Sequence, residues 1–363
     1  MLTALEEDRI RVAEIDAEIR DPECGTIKLA SLHFEKFRVQ ERLESYKYPV
    51  LTLPNEIVSE IFVHFLPPYP ACPPLTGIHA PTLLTHICRK WRQIALATPP
   101  LWRSIVSDGD ISIERQAHIF CIWLGRTRCP LSIEIPGQYL SARHLSQVLS
   151  NFIPYRERWE CLKLSDFPTS LLTSIKGPIP LLQDLFLELD ATCSKVTFRD
   201  MPMLRRVTLN GYAALSVTLP WAQLTSLAFL RVHPSECSPI LQRTSRLVHC
   251  TIDVRCDSQA DYPGPDIELP YLESLTLEGV APIGYLETFH APALRSLKLP
   301  EKFLGPNPII SLASFVLKSG CKLQKVRSED VRPVPEGSHH SALATVKLYF
   351  RGRDGSGVAD DED

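Results

Sequence analysis

Between residues 182 and 299 the chain writes the same apolar phrase six times, and that period constrains its fold more than any other feature. The phrases are Leu182-x-x-Leu185-x-Leu187, Leu204-x-x-Val207-x-Leu209, Leu224-x-x-Leu227-x-Phe229, Leu247-x-x-Cys250-x-Ile252, Leu272-x-x-Leu275-x-Leu277 and Leu294-x-x-Leu297-x-Leu299, with first leucines 22, 20, 23, 25 and 22 residues apart. Pro180, Pro202, Pro270 and Pro292 stand two residues before the first leucine in four of the units. Trp159, Leu162 and Leu164 read as an earlier unit, and Leu323/Val326 and Leu343/Val346/Leu348 as weaker later ones. Apolar residues two apart share one face of a strand, and the leucine three positions earlier turns inward from the preceding loop. Burying each leucine contributes roughly 1.5–3 kcal/mol, and a single unit has nowhere to bury it except against its neighbours.

A period of this length resembles that of leucine-rich repeats. The Asn or Cys usual eight or nine residues after the first leucine is mostly missing, so the expected solenoid is irregular, with a parallel sheet on its concave face. Residues flanking the second and third apolar positions must point away from the core. They are Asp184, Phe186 and Glu188; Arg206, Thr208 and Asn210; His249, Thr251 and Asp253; Ser274, Thr276 and Glu278; and Ser296 and Lys298. This mixed polar ladder is the expected surface for a protein substrate, with Phe186 as its anchor.

Upstream, Leu5, Val12 and Ile19 with Ile15, then Leu32, Val39 and Tyr46 with Leu29 and Leu43, predict two amphipathic helices around a break at 21–25. Asp8 and Lys36 interrupt their seams. Residues 54–66 predict a helix with Ile57, Ile61, Phe62, Phe65 and Leu66 on one side, stopped by Pro67 and Pro68. An ordered or semi-extended proline-rich loop should follow, then one helix with a single buried stripe of Leu84, Ile87, Cys88, Trp91, Ile94 and Ala95.

Leu53-Pro54-Asn55-Glu56-Ile57 with Ile61-Phe62, then Ile87-Cys88-Arg89-Lys90-Trp91-Arg92-Gln93-Ile94-Ala95, then Thr98-Pro99-Pro100-Leu101-Trp102-Arg103 together resemble the F-box, in particular the F-box-like proteins of mushroom-forming fungi. The resemblance covers roughly residues 45–105 and implies a substrate-recognition subunit of an SCF-type ubiquitin ligase. Its F-box would dock on a Skp-type adaptor, and through it on a cullin and a RING subunit. It assigns adaptor docking to Leu53, Pro54, Ile57 and Ile61, with contributions from Leu66, Ile87 and Cys88, and leaves Trp91 and Trp102 to the core. The insert from Leu66 to Leu83 is longer than in the shortest F-boxes. The expected class is α/β: a helical lead-in (1–48), an all-helical F-box-like module (49–105), the repeat domain (106–350) and an acidic, disordered tail (351–363).

Composition narrows the function. Among 363 residues, 39 Lys and Arg against 42 Asp and Glu leave no basic excess for nucleic acid. The acidic start MLTALEEDRIR is no secretory leader, and no run of about 18 apolar residues suggests a membrane span, so a cytosolic or nuclear protein is expected. Eleven cysteines without a C-x-x-C pair predict reduced, mostly buried thiols. His64, Cys72, His79, His86 and Cys88 match no zinc spacing, and Arg89, Lys90 and Arg92 read as a solvated helix face. No G-x-S-x-G, Walker loop or H-E-x-x-H occurs, so no catalytic residue, cofactor or metal is assigned. Two other readings stay open: a protein-interaction scaffold without a role in ubiquitination, and an enzyme of unrecognised fold with dispersed catalytic groups.

Overall fold

A computed structural model of the chain describes residues 2–20, 26–45, 49–138, 140–191, 194–256, 264–280, 282, 284–305, 307–329 and 347–351. The break at 21–25, Tyr46, Leu343 and Val346, and the acidic tail from Asp354 fall outside them. The protein is α/β, with an N-terminal helical region followed by a large parallel sheet.

Helices α1 (Leu2–Ile19) and α2 (Thr26–Ser45) pack on each other around Ile15, Leu32 and Val39, flanked by Val12, Ile19 and Leu43. The charges interrupting the seams are paired between the helices: Asp8 with Arg42 at 2.6 Å and Lys36 with Asp16 at 2.5 Å. Next come α3 (Asn55–Phe65), α4 (Leu84–Ile87) and α5 (Arg89–Leu96). Residues 84–95 thus form two helices where the spacing predicts one. Cys88 is extended (φ −155°, ψ 169°), and its sulfur accepts from the Trp91 amide 3.4 Å away, starting α5 afresh.

Among the described residues eleven strands follow in one sheet: β1 (Ser104–Val106), β2 (Leu131–Pro136), β3 (Trp159–Phe167), β4 (Asp184–Leu189), β5 (Arg206–Asn210), β6 (Ser226–Val232), β7 (His249–Arg255), β8 (Ser274–Val280), β9 (Ser296–Pro300), β10 (Lys325–Glu329) and β11 (Lys347–Arg351). Each is parallel to the one before it and lies beside it, so spatial order equals chain order. Short helices fill some of the returns: α6 (Ile113–Arg126), α7 (Ala142–Phe152), α8 (Thr169–Leu172), α9 (Gly211–Ser216), α10 (Pro234–Leu241) and α11 (Pro308–Ser319). Two-residue strands pair in the returns as well, Val196–Thr197 with Val217–Thr218 and Ile267–Glu268 with Phe289–His290.

The sixfold phrase has a common backbone cause. In every unit the amide of the first leucine donates to the carbonyl three residues earlier: Leu182 to Ile179, Leu204 to Met201, Leu224 to Trp221, Leu247 to Thr244, Leu272 to Leu269 and Leu294 to Ala291. The prolines occupy the second position of that turn, where a fixed φ suits the chain and no amide is needed. All six leucines are buried. The second and third apolar residues then alternate inward along each strand, apart from the register shifts in β3 and β6. There Asp166 (φ 49°) and Arg231 (φ 52°) adopt the left-handed conformation. One buried cluster runs from Val58 and Phe62 through Trp102, Trp123 and Trp159 to Leu323 and Val326, joining α3 and α5 to the sheet.

Candidate functional site

Helix α3 carries more apolar surface than its surroundings cover. At roughly 100° per residue, Ile57, Ile61, Phe65, Val58 and Phe62 follow one another across an arc of roughly 140°. Val58 and Phe62 are buried, Phe62 meeting Trp91 edge to face at 4.9 Å. Ile57 and Ile61 are 50% and 47% exposed, and Phe65 is exposed too. The apolar side expected from sequence is therefore split, and Val58, which the spacing argument passed over, is one of its buried members. Phe65 continues the four-residue spacing of Ile57 and Ile61 and belongs with them, although sequence reasoning placed it only on the helix's apolar side.

The other residues assigned to adaptor docking divide similarly. Pro54 is exposed, and its carbonyl accepts the Val58 amide at 3.2 Å to open α3. Leu53 and Leu66 are half-buried and pack against the main core. Ile87 is 52% exposed at the end of α4, whereas the half-buried Cys88 caps α5. On the basic face Arg89 and Arg92 are exposed and Lys90 is half-buried, and two of the three also bond backbone carbonyls. The Lys90 ammonium donates to the carbonyls of Leu51 (2.6 Å) and Leu53 (3.1 Å), and Arg92 Nε donates to that of Thr85 (2.6 Å). These bonds hold the segment entering α3 and the end of α4 against α5, which fixes the exposed side chains in place.

The proline-rich loop ties this helical unit to the sheet. Tyr69 donates its hydroxyl proton to Glu160 at 2.6 Å, with the Arg103 guanidinium 3.7 Å above its ring. Ser132 of β2 donates to the Pro70 carbonyl at 2.6 Å, and the Cys72 sulfur lies 3.7 Å from the Ser132 hydroxyl. Burial, with Glu160 as acceptor, holds the Tyr69 phenol far above its ordinary range, so it remains a donor. Nothing in the sequence pattern announced these contacts, because they join residues 34 to 91 positions apart.

The sheet face opposite the buried leucines carries the polar ladder. Asp184 pairs with Arg206, Glu188 with Arg231, Glu134 with Lys163 at 2.7 Å and Glu278 with Lys298 at 3.5 Å. Phe186 is half-buried beneath Lys163, whose nitrogen is 5.5 Å from the ring centre. Thr208, Thr251, Asp253, Ser274, Thr276 and Ser296 are half-buried, and His249 is exposed. Asn210 departs from this set. It is buried, its amide bonds both the Leu189 amide (3.1 Å) and carbonyl (2.8 Å), and its oxygen caps α9 through the Ala213 amide at 2.9 Å. It fastens β4 to β5 and cannot face a partner. Lys163, Arg231 and Arg327 share the ladder's neighbourhood and were missed, since their strands lie outside the six phrases or sit at a register shift.

Burial first pushes the thiols up, Cys72 and Cys161 to about 12 and Cys237 to about 11, so near neutral pH they are protonated and poor nucleophiles. Among the described residues no group of three or more His, Cys, Asp and Glu could hold a metal ion, and no helix is long and apolar enough to cross a membrane. No protein-family model matches the chain, and no curated protein matches it at a significant level.

Proposed function

We propose that this protein is a substrate receptor of an SCF-type ubiquitin ligase, with α3 to α5 as an F-box-like adaptor module and the parallel sheet as the scaffold of a leucine-rich-repeat-like substrate domain. The half-covered apolar arc of α3 carries this reading. Side chains such as Ile57, Ile61 and Phe65 lose free energy for every apolar surface left in water, and a fixed exposed stripe flanking a buried one is suited to a partner's apolar groove. The Skp-type adaptor is that partner here, and it brings the cullin and the RING subunit. The chain itself supplies position and no bond chemistry. The polar ladder around Phe186, Arg206 and His249 takes the substrate protein through many moderate contacts.

The test is affinity capture of the full chain from cells with the proteasome blocked, comparing three proteins. The intact chain is expected to recover the adaptor, the cullin and a substrate. Ile57→Asp should lose adaptor and cullin and keep the substrate, because a carboxylate forced against an apolar surface costs several kcal/mol. Phe186→Ala/Arg206→Ala/His249→Ala should lose the substrate and keep the adaptor. An intact chain that recovers no Skp-type adaptor overturns the proposal.

A further inference from the structure

The N-terminal hairpin has a second apolar seam that its own two helices leave bare. Leu32 and Val39 point into the hairpin, yet Phe34 and Phe37, on the opposite side of α2, are 66% and 63% exposed. With Ala30 and Glu41, also exposed, they fall at spacings of four, three and four residues, the knob spacing of a helix that packs lengthwise on another. The hairpin meanwhile buries fully only Ile15, Leu32 and Val39 among its described residues, in a cluster separate from the main core. Two helices of 18 and 20 residues around so few side chains lack the second packed layer from which most helical stability comes.

We propose that this seam pairs with the same seam of a second copy of the chain, so that two hairpins stack back to back about a twofold axis, α2 antiparallel against α2 with the two α1 helices outermost. The seam is palindromic in spacing, and an antiparallel copy therefore lays every position of one α2 on a position of the other. Phe34 meets Phe37 of the second copy twice at the centre, and Glu41 meets the methyl of Ala30 at each rim. A parallel arrangement would instead set the two Glu41 carboxylates against each other. α2 carries four basic and three acidic residues, so two such helices approach without strong repulsion. The phenylalanines of both copies would cover roughly 500 Å² of aromatic surface. That is about a third of a standard stable interface. Helices roughly 30 Å long add to this through flanking side chains and stems.

Light scattering of the full chain after size exclusion, at roughly 10–100 µM where affinities of this class are saturated, reads the outcome directly. Twice the chain mass of 40.9 kDa is expected for the intact protein. Phe34→Glu/Phe37→Glu should run at the single-chain mass with unchanged circular dichroism, because both rings are exposed and the substitutions remove no core contact. Adaptor recovery by that variant should also be unchanged, which separates this pairing from the ligase reading. A single-chain mass for the intact protein, or a dimer that persists in the double variant, overturns the proposal.

Discussion

At the scale of single residues, Asn210 shows how a polar side chain in the middle of the ladder can belong to the core. One amide satisfies the Leu189 amide and carbonyl and caps α9, so Asn210→Ala leaves three buried backbone groups without partners. A loss of about 2–4 kcal/mol is expected, read as a lower urea midpoint at unchanged slope. A change below about 0.5 kcal/mol would show that water replaces the amide at little cost. The buried thiols set a second expectation. Their folded values, about 12 for Cys72 and Cys161 and about 11 for Cys237, lie above the ordinary 9.0. Below that ordinary value both states hold the proton and the thiols leave stability untouched; above it the unfolded chain releases protons that the folded chain retains. Stability should therefore fall as pH rises from about 9 towards 12, and Cys72→Ser/Cys161→Ser/Cys237→Ser should flatten that slope. At neutral pH iodoacetamide should label the exposed Cys121 well before these three, and rapid labelling of Cys161 or Cys237 in the folded protein would contradict their assignment.

At the scale of elements, the repeat was legible because each unit states its turn and its strand in local spacing. The proline at the second turn position, the leucine that closes the turn and the alternating apolar pair together specify β4 to β9, and the structure adds only their common hydrogen bond. Local spacing fails where a single residue redirects the chain. Cys88 splits one predicted helix because its sulfur caps a new one, and a left-handed Asp166 or Arg231 shifts a register that period-two counting assumes constant. The split arc of α3 was invisible for another reason: Ile57 and Val58 are both apolar, and only the placement of α5 decides which one is covered. Gly279 offers a test of the strand geometry. Its φ is +79°, and an added methyl would run into the Val254 carbonyl oxygen and the Asp253 carboxylate of the neighbouring strand. Gly279→Ala should cost about 1–3 kcal/mol from backbone strain, with that contact added, and lower the melting temperature. An unaltered melting temperature would mean that β8 does not approach β7 as closely as described.

At the scale of the whole molecule, helical unit and sheet act as one body because a single core and the Tyr69–Glu160 and Ser132–Pro70 contacts connect them. Whatever docks on α3 is thereby held in a fixed relation to whatever the polar ladder binds, the geometry that the proposed receptor role would need. The overall class and the presence of α1, α2 and α3 could be read in advance; the brace between helical unit and sheet could not, since it joins a proline-rich loop to strands that lie outside the six phrases. The proposed adaptor docking rests on the uncovered half of the α3 arc. Calorimetric titration of the purified full chain with a Skp-type adaptor tests it most directly, comparing the intact protein with Ile57→Asp/Ile61→Asp. Saturable binding is expected for the intact chain and a loss of about 100-fold or more for the variant, equivalent to at least about 2.7 kcal/mol, with the same melting temperature in both. Equal affinities for a variant that remains folded, or no heat of binding from the intact chain, would contradict it.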